Sequence, residues 1–236
     1  MLQFKGVEIK IADQRLFGIE DLKLTSGLVA LVGRNGTGKS TFIRTILGMH
    51  QAYTGRILIK DEDQAVIAPQ RRSALVAVVF SKGTTFGAIK VRDLMGLGRL
   101  PYLNVFAKQR AEDHKFVEHI AEQLNITDLL NRDYNTLSDG QKQLIMIGRA
   151  LVQDTPIILM DEPAAFLDMV NQYHVMRVLR NIASQSNKLI LFSTHSFSFL
   201  DRVCDEVLLI SEENLNVLPK SESFEATLLN HFGISE

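Results

Sequence analysis

The feature that most constrains this chain is the run Gly33-Arg34-Asn35-Gly36-Thr37-Gly38-Lys39-Ser40-Thr41. It follows Gly27-Leu28-Val29-Ala30-Leu31-Val32, an apolar, β-branched stretch that predicts a buried strand. Behind it, Phe42, Ile43, Ile46 and Leu47 recur at helical spacing. Strand, glycine loop and helix together predict a backbone whose N–H groups close on nucleotide phosphates above the positive end of a helix. In that loop Lys39 neutralises the β and γ phosphates, and the Ser40 hydroxyl is a ligand for Mg²⁺.

A chain of 236 residues, 46% of them apolar, can bury one core or one core with a satellite subdomain. The formal charge of -1 provides no basic footprint for nucleic acid. No apolar run approaches the ~20 residues that a bilayer span needs, and Met1-Leu2-Gln3-Phe4-Lys5 does not begin a secretory signal, so a cytosolic protein is expected. The single cysteine, Cys204, excludes an internal disulfide framework and reads as a small buried hydrophobe.

Phe4, Val7, Ile9 and Ile11, then Leu16, Ile19, Leu22 and Leu24, predict antiparallel strands joined by Asp13-Gln14. Residues 55–60 predict another strand, and the dense apolar run over 75–80 a central buried one. After the loop-like stretch 81–87, helical patterns take over. Between about 107 and 124, Ala111, Phe116, Val117, Ile120, Ala121 and Leu124 form one helical face, and His114 and His119 read as solvated. Strands return at 157–160, 189–192 and 207–210 with helical patterns between them, which predicts an α/β layer with a mainly parallel sheet. Residues 82–135 form a helical insertion in this reading, flanked by core segments 1–81 and 136–236 of a single domain.

Three further constellations carry chemistry. Ser138 and Gln141 in Leu137-Ser138-Asp139-Gly140-Gln141 fit a capping box; the free N–H groups of such a helix start also suit a phosphate. The strand at 157–160 ends in Asp161-Glu162, with Asp161 suited to the Mg²⁺ shell and Glu162 to accepting a proton from an attacking water. His195, closing Phe192-Ser193-Thr194-His195, sits where it can meet a γ-phosphate or orient that water.

In their order, the phosphate loop, helical insertion, LSDGQ, Asp-Glu strand, Ala165-Phe166-Leu167-Asp168 and histidine strand closely resemble the nucleotide-binding domain of ABC transporters. The resemblance implies a P-loop NTPase (RecA-like) core with an N-terminal antiparallel β subdomain and an inserted α-helical subdomain. It matches residues 33–41 to Walker A, 137–141 to the signature, 157–162 to Walker B with a catalytic Glu162, 165–168 to the D-loop and His195 to the switch histidine. It implies catalytic roles for Glu162, His195 and Lys39, ATP contacts from residues 33–41, Ser138, Gly140, Gln141 and Asp168, and Mg²⁺ on Ser40 and, through water, Asp161. Two copies would sandwich ATP, each Walker A facing the partner's signature. Gly98-Arg99-Leu100-Pro101-Tyr102, Asp139 and Gln153-Asp154-Thr155-Pro156 look like importer ATPases for iron-siderophore, haem or cobalamin, which sit on the cytoplasmic face of the membrane. Such ATPases work on membrane permease subunits fed by a substrate-binding protein, and residues 94–106 are the candidate docking surface.

Three departures from the family stand out. Ser81 occupies the place of a glutamine that reaches Mg²⁺, and its shorter side chain puts that contact in doubt. The aromatic residue that stacks on adenine is missing near Ile11, leaving an apolar contact there or a role for Phe17. Asp139 replaces the first signature glycine and is left out of the ligand set because a carboxylate repels a γ-phosphate. A soluble ABC ATPase with cytosolic partners and a nucleotide-gated module with little hydrolysis are the alternatives.

Overall fold

The computed structural model describes residues 1–81, 86–102, 109–218 and 223–233. The strands are β1 (Leu2–Ile11), β2 (Gln14–Leu24), β3 (Gly27–Gly33), β4 (Tyr53–Ile59), β5 (Glu62–Asp63), β6 (Val76–Val79), β7 (Ile157–Met160), β8 (Leu189–Ser193), β9 (Glu206–Ser211) and β10 (Asn214–Leu218). The helices are α1 (Lys39–Ile46), α2 (Pro69–Leu75), α3 (Val91–Gly96), α4 (Ala111–Gln123), α5 (Asp139–Val152), α6 (Met169–Gln185), α7 (Leu200–Val203) and α8 (Phe224–Phe232).

The ten strands among the described residues join one sheet in the order β5-β4-β1-β2-β10-β9-β3-β8-β7-β6. The half from β9 to β6 is parallel, as the alternation of strands with helices predicts. The N-terminal hairpin pairs antiparallel and merges into the same sheet through a Gly18–Asn214 bridge to β10.

The parallel strands read as continuous apolar runs because both their faces are buried. Leu28, Ala30 and Val32 of β3 face the helical layer with Ile158, Met160, Ile190 and Phe192. Val29 and Leu31 face the other way, onto Phe42, Ile43 and Ile46 of α1 and onto Phe4, Phe17 and Ile57 of the antiparallel strands. At about 25 cal/mol per Å² of apolar surface, such two-sided burial is the main stabilising contribution to this layer.

The run over 75–80 behaves differently from its expectation. Leu75 closes α2, a helix signalled by Pro69 at its first position, and among the described residues β6 pairs only with β7, so it is an edge strand of that sheet and not a central one. In α4, Val117, Ile120 and Ala121 are buried as the spacing predicts, while Ala111 is exposed. The buried place at the start of that helix goes to Asp113, which Arg99 neutralises at 2.8 Å. His114 and His119 are exposed, and Cys204 is buried.

Candidate functional site

The strand order places the chemistry. β3, β8 and β7 are neighbours, so their carboxyl ends bring the phosphate loop, His195 and Asp161-Glu162 to one edge of the sheet. Open α/β sheets bind ligands at that edge.

Each loop is held by a specific local device. Gly38 lies in the left-handed region at φ +102°, and a Cβ there would meet Leu16 Cδ1 at 2.9 Å, so only glycine turns the chain into α1 at this point. No side chain caps α1, which leaves its first N–H groups directed at the loop. Lys39 Nζ donates to the carbonyls of Gly33 at 2.7 Å and Arg34 at 3.1 Å. Burial pushes the Lys39 ammonium below its ordinary pKa, and the negative charges of Glu162 and Asp161 oppose that shift. A buried cation whose hydrogen bonds, among the described residues, go to neutral carbonyls gains from an added anion, which is the electrostatic requirement of a phosphate site.

Asp161 and Glu162 are fixed through Ser193. The Ser193 hydroxyl donates to Asp161 Oδ1 at 2.8 Å and accepts the Glu162 N–H at 2.9 Å. The β7/β8 register, Met160 opposite Phe192, makes that contact possible. Glu162 adopts φ +50°, uncommon for a non-glycine residue, and the hydrogen bond its N–H donates to the Ser193 hydroxyl helps hold it there. Its carboxylate reaches His195, with Nε2 to Oε1 at 2.5 Å.

Ser193 is the residue that sequence reasoning missed. Its signal was a small polar side chain at the end of an otherwise apolar strand, where burial demands a partner.

The family model for the ABC transporter matches residues 21–165. The chain belongs to the ABC transporter family. Like the family's other ATP-binding proteins, it is an ATPase. It is 31% identical over 204 residues to the molybdate import ATP-binding protein MolC of Haemophilus influenzae, covering 86% of this chain and 76% of that protein. Among solved structures, a metal-chelate type ABC transporter in an inward-facing conformation is similar at TM-score 0.79 and 28% identity, over 98% of this chain and 88% of that one. A dimeric ATP-binding cassette bound to ADP and Pi shares the fold at TM-score 0.81 and 20% identity, over 94% of this chain and 100% of that one.

In this ABC ATPase the signature segment is internally satisfied. Ser138 Oγ accepts the Gln141 N–H at 3.3 Å, and Gln141 Oε1 accepts the Ser138 N–H at 3.1 Å, which completes the capping box of α5. Gly140 packs so closely against the 165–168 segment that a Cβ would meet the Phe166 carbonyl at 2.8 Å. Asp168 caps α6 by accepting from the amide and side chain of Asn171. The Asn171 amide, followed by its side chain, holds the Asp168 carboxyl below the ordinary range. No hydrogen bond among the described residues joins Ser138, Gly140, Gln141 or Asp168 to the phosphate loop.

Ser81 lines a cavity of about 420 Å³ with Phe80, Tyr134, Asp139, Lys142, Gln143 and Arg149, between the edge strand and α5. Residues 82–85 of its loop lie outside the described residues. The adenine question narrows. Phe17 is fully buried against Phe42, with ring centroids 5.9 Å apart, and belongs to the core, whereas Ile11 is exposed. Stacking by Phe17 is therefore ruled out by packing.

Proposed function

We propose that this ABC ATPase powers an importer as a homodimer on the cytoplasmic face of a membrane, hydrolysing ATP between two copies. The observation that carries the site assignment is the Glu162–His195 contact beside Lys39, built from three adjacent strands. Glu162 accepts a proton from water, whose oxygen attacks the γ-phosphorus as the bond to the β-phosphate oxygen breaks. His195 holds the Glu162 carboxylate in place and lies beside the γ-phosphate. Lys39 exchanges its two loop carbonyls for phosphate oxygens, and residues 33–41 supply backbone N–H groups.

The donor set fits Mg²⁺. The Ser40 hydroxyl and the buried Asp161 carboxylate are hard oxygen ligands, and the described residues contain no cluster of three acidic, histidine or cysteine side chains that would form a protein-only cage. Ser40 and, through water, Asp161 would hold the ion, which would supply positive charge against the phosphates. The Ser193 bond keeps Asp161 oriented for that role.

Because Ser138, Gly140, Gln141 and Asp168 are satisfied away from the phosphate loop, they serve the ATP of a second copy. The capped α5 then directs its N-terminal N–H groups at the partner's γ-phosphate. The dimeric cassette among the similar structures supports this arrangement.

Membrane permease subunits would dock on the helical layer. Leu94 and Met95 are buried in that layer, so the surface left for docking comprises Leu97, Leu100 and Tyr102, which are exposed. Residues 103–106 lie outside the described residues. No helix among the described residues is long and apolar enough to cross a membrane. We assign the solute class as a metal chelate or cofactor (iron-siderophore, haem or cobalamin), supported by the similar metal-chelate type transporter. The molybdate name of MolC sets the competing class. Transport assays of the purified assembly with a ferric siderophore, cobalamin and molybdate decide between them, and uptake of molybdate alone would remove our assignment.

A further inference from the structure

We propose that Phe232, at the end of α8, is a positioning residue that clamps the phosphate loop to the loop carrying His195; this rests on the assignment of both loops to the ATP site. Phe224, Leu228 and Phe232 recur every four residues and form one stripe of α8. Phe224 and Leu228 are buried in the main core, 2% and 0% exposed, and fix the helix to the body of the protein. Its start is tied down as well. Asp201 accepts from the Phe224 N–H and the Ser223 hydroxyl, each at 2.6 Å, and from the Glu225 N–H at 3.3 Å.

So anchored, α8 delivers the ring of Phe232 to two loops that are far apart in the chain. On one side it stacks on Phe197, with centroids 5.6 Å apart and planes within 10°. Phe197 is two residues beyond His195, whose ring meets Glu162. Toward the other loop, the Arg34 guanidinium carbon lies 5.9 Å from the Phe232 ring centroid, within reach of a cation–π attraction. Arg34 is exposed and has no ion pair among the described residues, and such a long side chain is ordinarily free to move. Its own carbonyl accepts from Lys39 Nζ at 3.1 Å and from Thr37 Oγ1 at 2.9 Å. Pinning the Arg34 side chain therefore restrains the peptide on which Lys39 and Thr37 rest. One aromatic ring touches both halves of the site, and core packing in α8 holds that ring in place.

The test uses the full chain with Phe232→Leu, Phe232→Tyr and Arg34→Gln. Amide hydrogen exchange is followed over residues 33–38 and 194–198, with β3 and β8 as internal references, alongside melting temperature and steady-state phosphate release. Phe232→Leu keeps apolar bulk and removes the ring, so exchange should rise several-fold in both loops and phosphate release should fall roughly fivefold, with melting unchanged. Phe232→Tyr should restore both. In the Arg34→Gln background, Phe232→Leu should add nothing further at residues 33–38. Unchanged loop exchange in Phe232→Leu, or an equal effect of Tyr and Leu, overturns the clamp. Should Phe232→Leu fail to fold, Arg34→Gln decides alone: it should speed exchange at residues 33–38, and no change there rejects the proposal. Retained turnover in Glu162→Gln would remove the site assignment while leaving the exchange result to judge the clamp.

Discussion

His195 Nε2 lies 2.5 Å from Glu162 Oε1, so the imidazole and the carboxylate at the ends of two neighbouring strands act on one another directly. Glu162→Gln keeps the shape and removes the proton acceptor. Turnover should fall at least a hundredfold with ATP still bound, measured as phosphate release beside the affinity for a fluorescent ATP analogue. His195→Ala should lower turnover in the same direction by freeing the Glu162 carboxylate. Near-native turnover in Glu162→Gln would remove it as the base.

Ser193→Ala tests the bridge beneath that pair. It leaves the Glu162 amide without its acceptor and Asp161 without a donor in a buried setting, at a cost of about 1–3 kcal/mol. Urea denaturation should show that loss, and turnover should drop about tenfold as Asp161 and Glu162 lose their orientation. Wild-type values of both would show that the hydroxyl is incidental.

Lys39→Ala removes the cation that two carbonyls and two nearby carboxylates surround. Because burial disfavours that cation and its hydrogen bonds go to neutral carbonyls, its loss should cost phosphate affinity more than stability. The fluorescent analogue should bind about a hundredfold more weakly, or about 2.7 kcal/mol, with the melting temperature steady or raised. A protein that binds as tightly as before would contradict the site.

Ser138→Arg and Gly140→Ala probe the α5 start in different ways. Arginine at 138 loses the cap and blocks a facing subunit, so dimerisation with ATP, read by light scattering in Glu162→Gln protein, should disappear. Alanine at 140 places a methyl against the Phe166 carbonyl and should destabilise the monomer by about 1–3 kcal/mol. Dimers that persist in Ser138→Arg would count against the two-copy site.

Asp113 supplies a pH test. The Arg110 N–H, together with the Arg99 guanidinium, holds its carboxyl below the ordinary carboxylate range in spite of burial. A depressed folded pKa contributes stability that is fully present above the ordinary carboxylate pKa and is lost as pH falls through the folded value. The stability gap between wild type and Asp113→Asn should therefore be full near neutrality and close in acid. A gap that stays constant down to about pH 2 would exclude this origin.

Much of the fold was legible because its signals are local. The glycine loop between an apolar strand and a helix, the alternation of strands with helices, and the capping box at Ser138 all sit within a few residues of one another. The edge position of β6 was not legible, since an apolar run reports burial and not the number of strand partners. Asp113 escaped the periodic pattern because its partner Arg99 lies on another element. Phe17 was the alternative in sequence to an apolar contact near Ile11, and packing against Phe42 placed Phe17 in the core.

By itself the sequence determined a phosphate loop, an acidic strand end, a histidine strand end and a capped helix, in an order that resembles one family. The tertiary structure alone decided that β3, β8 and β7 lie side by side, that Ser193 bridges Asp161 and Glu162, and that α8 returns to the phosphate loop through Phe232. The physical reason is range. Propensity, capping and periodicity act between residues close in the chain, whereas strand order, register and side-chain contacts between distant residues exist only once the hydrophobic faces have packed.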